Sequence, residues 1–183
     1  MTDRLVDIEA NAAGTFQKLV DMGDGTFSPR LNATTRSVVS SLIPTVTASA
    51  YSSGNAVGGL LTFPSITDAA LTGVIESIVL NLKTVVTVSF RLYLFNANPT
   101  ASTFTDQSAP SINAADVNKI IGSYSISTSD SSLGTHTNYV VDSIGKSFTS
   151  TSDNKLYGVL IVNGAYTPAS TSDVQISIGI LKD

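Results

Sequence analysis

Two periodicities divide the chain. Through residues 1–36, Leu5, Ile8, Ala12, Phe16, Leu19 and Val20 recur at spacings of three and four, the mark of one apolar stripe on a helix. Thr2 or Asp3 would cap its start, and Gly14 weakens its middle. Asp21-Met22-Gly23-Asp24-Gly25-Thr26 follows. These residue types accept positive φ or bond their own backbone, so this part reads as an arm, partly helical or extended, that ends in a tight turn.

Beyond residue 36 the period becomes two. Val86, Val88, Phe90, Leu92 and Leu94 alternate with Thr87, Ser89, Arg91, Tyr93 and Phe95, which predicts a strand over 86–95 with one wholly apolar face. Ile78, Leu80 and Leu82 alternate with Ser77, Val79 and Asn81 just before it. With little more than Thr84-Val85 for a connection, the two read as a hairpin or one bent strand. Val174, Ile176, Ile178 and Ile180 alternate with Gln175, Ser177 and Gly179 and predict another half-buried strand.

Residues 156–162 differ, because Leu156, Leu160 and Val162 face one way and Tyr157, Val159 and Ile161 the other. Such a strand is either central and covered twice or lies in a subunit contact. Shorter strands are expected at 38–41, 46–50, 57–63, 122–128 and 136–142, bounded by Pro, Gly, Asn, Asp or Ser clusters. About eight or nine short strands without crossover helices predict an all-β fold. The expected architecture is an antiparallel β-sandwich of jelly-roll type over residues 37–183, with residues 1–36 as an N-terminal arm.

One long connection, 96–119, interrupts the strands. Asn113-Ala114-Ala115-Asp116 looks like a helix cap with an acid three positions on, and Val117, Ile120 and Ile121 would seat one short helix on the sandwich. Its first part, 96–110, is either a Greek-key crossover or a contact surface. Gly58 and Gly59 open a strand rather than a helix, so they mark a bulge or bend and not a phosphate loop.

Composition narrows the chemistry. Charged residues make up 13% of the chain, about half the usual share, and Ser with Thr supply roughly a quarter. The net charge is -4, and the Lys and Arg are scattered singly, so no stripe exists to neutralise phosphates and nucleic acid is not an expected partner. No apolar run approaches the ~18 residues of a spanning helix, and residues 1–8 lack a signal-peptide core, so no membrane is expected.

Without Cys there is neither a disulfide framework nor a thiolate site. His136 is the single imidazole, and no Gly-x-Ser-x-Gly elbow offers it a nucleophile. Paired carboxylates remain conceivable, yet Asp68, Asp106, Asp130, Asp153 and Asp173 all sit where Asp is a turn residue. Asp21 and Asp24 fail as a calcium loop because Asn32 stands where the bidentate acid belongs. The tyrosines Tyr51, Tyr93, Tyr124, Tyr139, Tyr157 and Tyr166 could form a sugar platform, although half-buried core positions explain them as well. No catalytic residue, cofactor or metal is assigned, and an enzyme is not expected.

Three stretches carry a resemblance: Val46-Thr47-Ala48-Ser49-Ala50-Tyr51 through Thr62-Phe63; Leu92-Tyr93-Leu94-Phe95-Asn96-Ala97-Asn98-Pro99-Thr100 with Thr103-Phe104-Thr105-Asp106; and Ser172-Asp173-Val174 to Gly179-Ile180-Leu181. The chain beyond residue 45 resembles small virion structural proteins of tailed bacteriophages. The resemblance implies a β-sandwich on the particle: a capsid decoration, or cement, protein at the capsid surface, made in the host cytoplasm. Its expected partners are the major capsid protein and itself, as a homotrimer or, alternatively, a dimer. The competing reading is a tail-fibre or baseplate head domain that binds a host receptor or glycan. Residues expected at protein contacts are Leu5, Ile8, Phe16 and Leu19 of the arm and Tyr157, Val159 and Ile161 of the doubly apolar strand.

Overall fold

The computed structural model describes residues 19–21, 27–29, 36–64, 72–127, 129–132, 134–151 and 154–182. The chain forms two units, residues 1–34 and 35–183. In the first, β1 (Leu19–Asp21) pairs antiparallel with β2 (Phe27–Pro29), Leu19 opposite Pro29 and Asp21 opposite Phe27. Leu19 and Val20, expected in the last turn of a helix, are therefore in a strand. Leu5, Ile8 and Phe16 lie outside the described residues.

The second unit is built from β3 (Arg36–Leu42), β4 (Ala56–Phe63), β5 (Thr72–Leu82), β6 (Phe90–Phe95), a 3-10 helix (Ala114–Lys119), β7 (Ile120–Ile126), β8 (Ser129–Ser132), β9 (Thr137–Val141), β10 (Lys146–Thr149), β11 (Leu156–Val162) and β12 (Val174–Lys182). One sheet runs β3-β12-β5-β9-β8, with β10 also on β5, and the other runs β4-β11-β6-β7. Every pairing is antiparallel. The pairing is nested: β3 takes β12, β4 takes β11, β5 takes β9 and β6 takes β7. A long hairpin rolled up in this way is a jelly roll.

The alternation read in the sequence sets the core. Ile176, Ile178 and Ile180 of β12 and Ile78, Leu80 and Leu82 of β5 meet Phe90, Leu92 and Leu94 of β6 and Leu156, Leu160 and Val162 of β11. Each is essentially without exposure, and burial of one such side chain contributes about 1.5–3 kcal/mol.

The structure corrects three expectations. The strand expected at 86–95 begins only at Phe90, and β5 and β6 belong to different sheets, so they form neither a hairpin nor one bent strand. Residues 83–89 instead cross the end of the sandwich. The period of two persists there because Val86 and Val88 still pack onto the core. Their backbone is satisfied without a ladder: the Val86 N–H donates to Thr137 Oγ1 at 3.0 Å, and the Val88 carbonyl accepts from the Tyr139 hydroxyl at 2.6 Å. The segment 46–50 is not a strand, since the Thr47 N–H is taken by Tyr51 Oη and Asp106 Oδ2.

One edge of β5 is shared by two strands. β9 lies opposite Leu82 to Ile78, and β10 lies opposite Ile75 to Thr72 along the same edge. The two are one edge strand interrupted by 142–145, where Ser143 (φ 56°) and Gly145 (φ 62°) turn the chain out and the Ile144 N–H returns to Glu76 O at 3.0 Å.

Candidate functional site

β11 lies between β4 and β6, so its second apolar face needs a cover. Tyr157 and Val159 pack with Ala56 and Phe95, and Phe104, Ile112 and Ile120 from residues 96–120 close over them together with Tyr93 and Ile161. Tyr157 is 5% exposed and Val159 0%. These two, expected at a subunit contact, form a second core inside the subunit, and Ile161 is half-buried beside them. Of the two explanations the sequence left open for this strand, cover on both faces is the one found.

Two carboxylates hold that cover in place. Asp106 accepts from the Thr47 N–H (2.8 Å), Thr47 Oγ1 (2.7 Å), the Tyr51 hydroxyl (2.7 Å) and the Gly58 N–H (2.6 Å). Beside it the segment pairs with the start of β4: the Gln107 N–H donates to Ala56 O, and the Ala56 N–H donates to Ser108 O. The bulge at Gly58 (φ 78°) and Gly59 (φ 67°) makes this approach possible. A Cβ on Gly59 would stand 2.9 Å from Phe104 O.

The second carboxylate is Asp116, which accepts from the Ala101 N–H (2.9 Å), Ser102 Oγ (2.7 Å) and Lys119 Nζ (2.7 Å). Asn113 caps the 3-10 helix by accepting from the Ala115 N–H. The short helix is thus where the sequence placed it, although Val117 points to solvent, 51% exposed, instead of seating on the sandwich.

Burial alone would raise the Asp106 carboxyl, but the hydrogen bonds from Thr47, Tyr51 and Gly58 outweigh it and hold it below the ordinary carboxylate range. The Tyr51 phenol is pushed well above its ordinary value by burial and by Asp106. Asp116 is also held low, by its hydrogen bond with Lys119 and then by Ser102.

Tyr51 also joins a ring cluster: Phe90 meets Tyr139 and Tyr166 edge to face at 5.6–5.7 Å, and Tyr51 packs tilted against Tyr166 at 5.8 Å. The buried Asp173 accepts from the Tyr166 hydroxyl and from Thr84 Oγ1. Burial and then Asp173 raise the Tyr166 phenol. Tyr51, Tyr139, Tyr157 and Tyr166 are buried and Tyr93 and Tyr124 half-buried, so none is an exposed sugar platform.

His136 is exposed, its Nδ1 2.7 Å from Thr135 Oγ1. Among the described residues no three His, Cys, Asp or Glu side chains converge on a metal-sized site.

Two features remain as surfaces for recognition. The first is β3, which among the described residues pairs only with β12 and leaves its other edge bare. Val39 at 65% and Ile43 at 56% exposure stand on and just after this edge. The second is a cleft of about 310 Å³ on the outer side of the same sheet, with Ile43, Asn81, Lys83, His136, Asn138 and Gln175 in its lining. Gln175, Asn81 and Asn138 lie in one cross-strand row. Each is an ordinary polar position in its own strand's alternation, and only the register of three strands distant in sequence reveals the row.

No family model matches the chain, and no curated protein does. Among solved structures, it aligns with a chain of the "Israeli acute paralysis virus heated to 63 degree - full particle" at 15% identity over 80% of this chain and 70% of that one, with a TM-score of 0.23. It aligns with a chain of the "Native virion of Kashmir bee virus at acidic pH" at 13% identity over 81% and 69%, also with a TM-score of 0.23. A score of this size does not establish a shared fold, and the jelly-roll assignment rests on the strand order alone.

Proposed function

We propose that this chain is a structural virion protein of a tailed phage, a capsid decoration protein that strengthens the head by contacts with its own copies and with the major capsid protein. The observation that carries the reading is the β3 edge, which no strand covers among the described residues. It is a seven-residue strand, free of Pro, with two exposed apolar residues on or next to it. Isolated proteins blunt such edges, because an unpaired row of N–H and C=O groups recruits another strand. An edge left open suits a protein whose working state is an assembly. Jelly rolls serve both capsids and lectins, and the resemblance of residues 46–63 and 92–106 to phage virion proteins favours the first.

The arm contributes a second contact in this reading. Leu5, Ile8, Phe16 and Leu19 bury on a neighbouring copy or along the capsid floor, where repeated weak contacts around a symmetric shell gain strength through multivalency. Purified particles test the proposal: a decoration protein is present in hundreds of copies at the head, on the order expected for icosahedral symmetry. A handful of copies at the tail tip would overturn it in favour of a fibre or baseplate head domain. The cleft on the outer sheet face is the one feature that favours that second reading.

A further inference from the structure

We propose that the cleft beside the row Gln175–Asn81–Asn138 is a binding site for a neutral saccharide ring. This goes beyond the proposed place on the particle and stands or falls separately from it. Three observations carry it: the row itself, the state of its hydrogen-bonding groups, and its size and wall.

Gln175 is opposite Asn81 in the β12–β5 ladder, and Asn81 is opposite Asn138 in the β5–β9 ladder. Three amide side chains are thereby fixed at the pitch of neighbouring strands, about 4.8 Å. That pitch matches the separation of equatorial hydroxyls on alternate carbons of a pyranose.

The groups around the row divide into spent and unspent. Thr137 Oγ1 donates to Thr84 O and accepts from the Val86 N–H, and the Asp173 carboxylate is taken by Tyr166 and Thr84. Asn138 Nδ2 donates to Asn81 Oδ1, which orients both amides. The row then offers a donor from Asn81 Nδ2, an acceptor from Asn138 Oδ1, and both from Gln175, all without partners among the described residues.

A hydroxyl donates and accepts at once, so a row of mixed sign matches a polyol. A carboxylate or phosphate accepts only, and Asn138 Oδ1 would oppose it. The one rim ammonium, Lys83 Nζ, donates to Ser172 Oγ at 3.2 Å, away from the row, and does not make the site select an anion.

The exposed side chain of Ile43 supplies an apolar wall for the C–H face of a ring. A volume of about 310 Å³ is at the lower end of the range for ligand sites. It suits one ring.

The test follows the side-chain amide signals of Asn81, Asn138 and Gln175 by NMR in the full chain. The probes are methyl glucopyranoside, methyl galactopyranoside and N-acetylglucosamine, with glucuronate as the charged control. At least one neutral sugar is expected to shift these three signals saturably, with a Kd on the order of millimolar. Gln175→Ala, at an exposed position, is expected to weaken binding roughly tenfold while the backbone spectrum stays folded.

Glucuronate is expected to bind more weakly than the glucoside. The proposal is overturned if no neutral sugar gives saturable shifts at up to about 50 mM, if the shifts fall elsewhere, if Gln175→Ala binds like the parent, or if glucuronate binds as tightly as the glucoside.

Discussion

Asp106 gathers donors from three residues of the stretch leading into β4: Thr47, Tyr51 and Gly58. Charge-assisted hydrogen bonds are about twice as strong as neutral ones, so this carboxylate acts as a pin for the 96–119 segment. Asp106→Ala is expected to cost about 2–4 kcal/mol, read as a lower urea midpoint, because it leaves several donors unpaired. The pH dependence follows from the sign of the shift. The folded-state carboxyl is held below its ordinary value, so its contribution is complete above about pH 4 and is lost as pH falls through the folded value. Asp106→Asn is expected to be less stable at neutral pH and to show a flatter loss in acid. Tyr124 gives the opposite case. Its hydroxyl is buried with no partner among the described residues, and burial raises its phenol. Tyr124→Phe is therefore expected to leave stability unchanged or raise it by up to about 1 kcal/mol in the same urea titration. A loss of stability would mean that the hydroxyl has a water partner.

At the scale of elements, the sequence was most legible where a side chain's direction follows from its own strand. The alternations in β5, β6 and β12 translate directly into core and surface. It was least legible where another element satisfies the backbone. Val86 and Val88 keep the strand period in a crossing segment because Thr137 and Tyr139 take the bonds that a ladder would have made. The aspartates illustrate the same limit. Asp106 and Asp173 do stand in or beside turns, as their neighbours suggest, yet Asp106's partners lie 48 to 59 residues away and Asp173 reaches Thr84 across 89, with only Tyr166 close in sequence, and no local pattern encodes the distant ones. Tyr157 and Val159, expected at a contact, are packed inside the subunit for a related reason: the chain carries its own cover in 96–119. Gly58 and Gly59 were readable as a bulge because the need for positive φ is local. Gly58→Ala tests how far the cover depends on it. The new Cβ would stand 2.5 Å from the Pro44 Cβ, in a backbone conformation that side chains disfavour. A loss of about 2–4 kcal/mol is expected, with the urea slope unchanged because the exposed surface is the same.

For the whole molecule, the geometry of β3 decides which symmetry an edge contact can take. In a sheet continued across a two-fold axis, both copies keep their cores on the same side, so facing residues must share the same direction. Val39 and Ser41 point outward, and Ser40 is buried on the core side. Parity then requires the axis to pass a residue and not the gap between two. Centred on Val39, the most exposed large apolar residue of the strand, the axis sets Val39 against its own copy, Ser37 against Ser41 and Val38 against Ser40. A two-fold contact is isologous and closes on a dimer, whereas the homotrimer suggested by the resemblance needs two different surfaces. Because the chain contains no Cys, a single introduced thiol reports the register without interference. Under mild oxidant, Val39→Cys is expected to form a disulfide-linked dimer, since directly opposed residues of an antiparallel pair bring their Cβ atoms within bonding range of two sulfurs. Val38→Cys, facing a serine on the copy, is expected to stay monomeric on a non-reducing gel. Light scattering of the parent chain completes the test: a trimer mass, or Val39→Cys that remains unlinked at concentrations where the parent self-associates, would rule out pairing through β3 and move the contact to the arm.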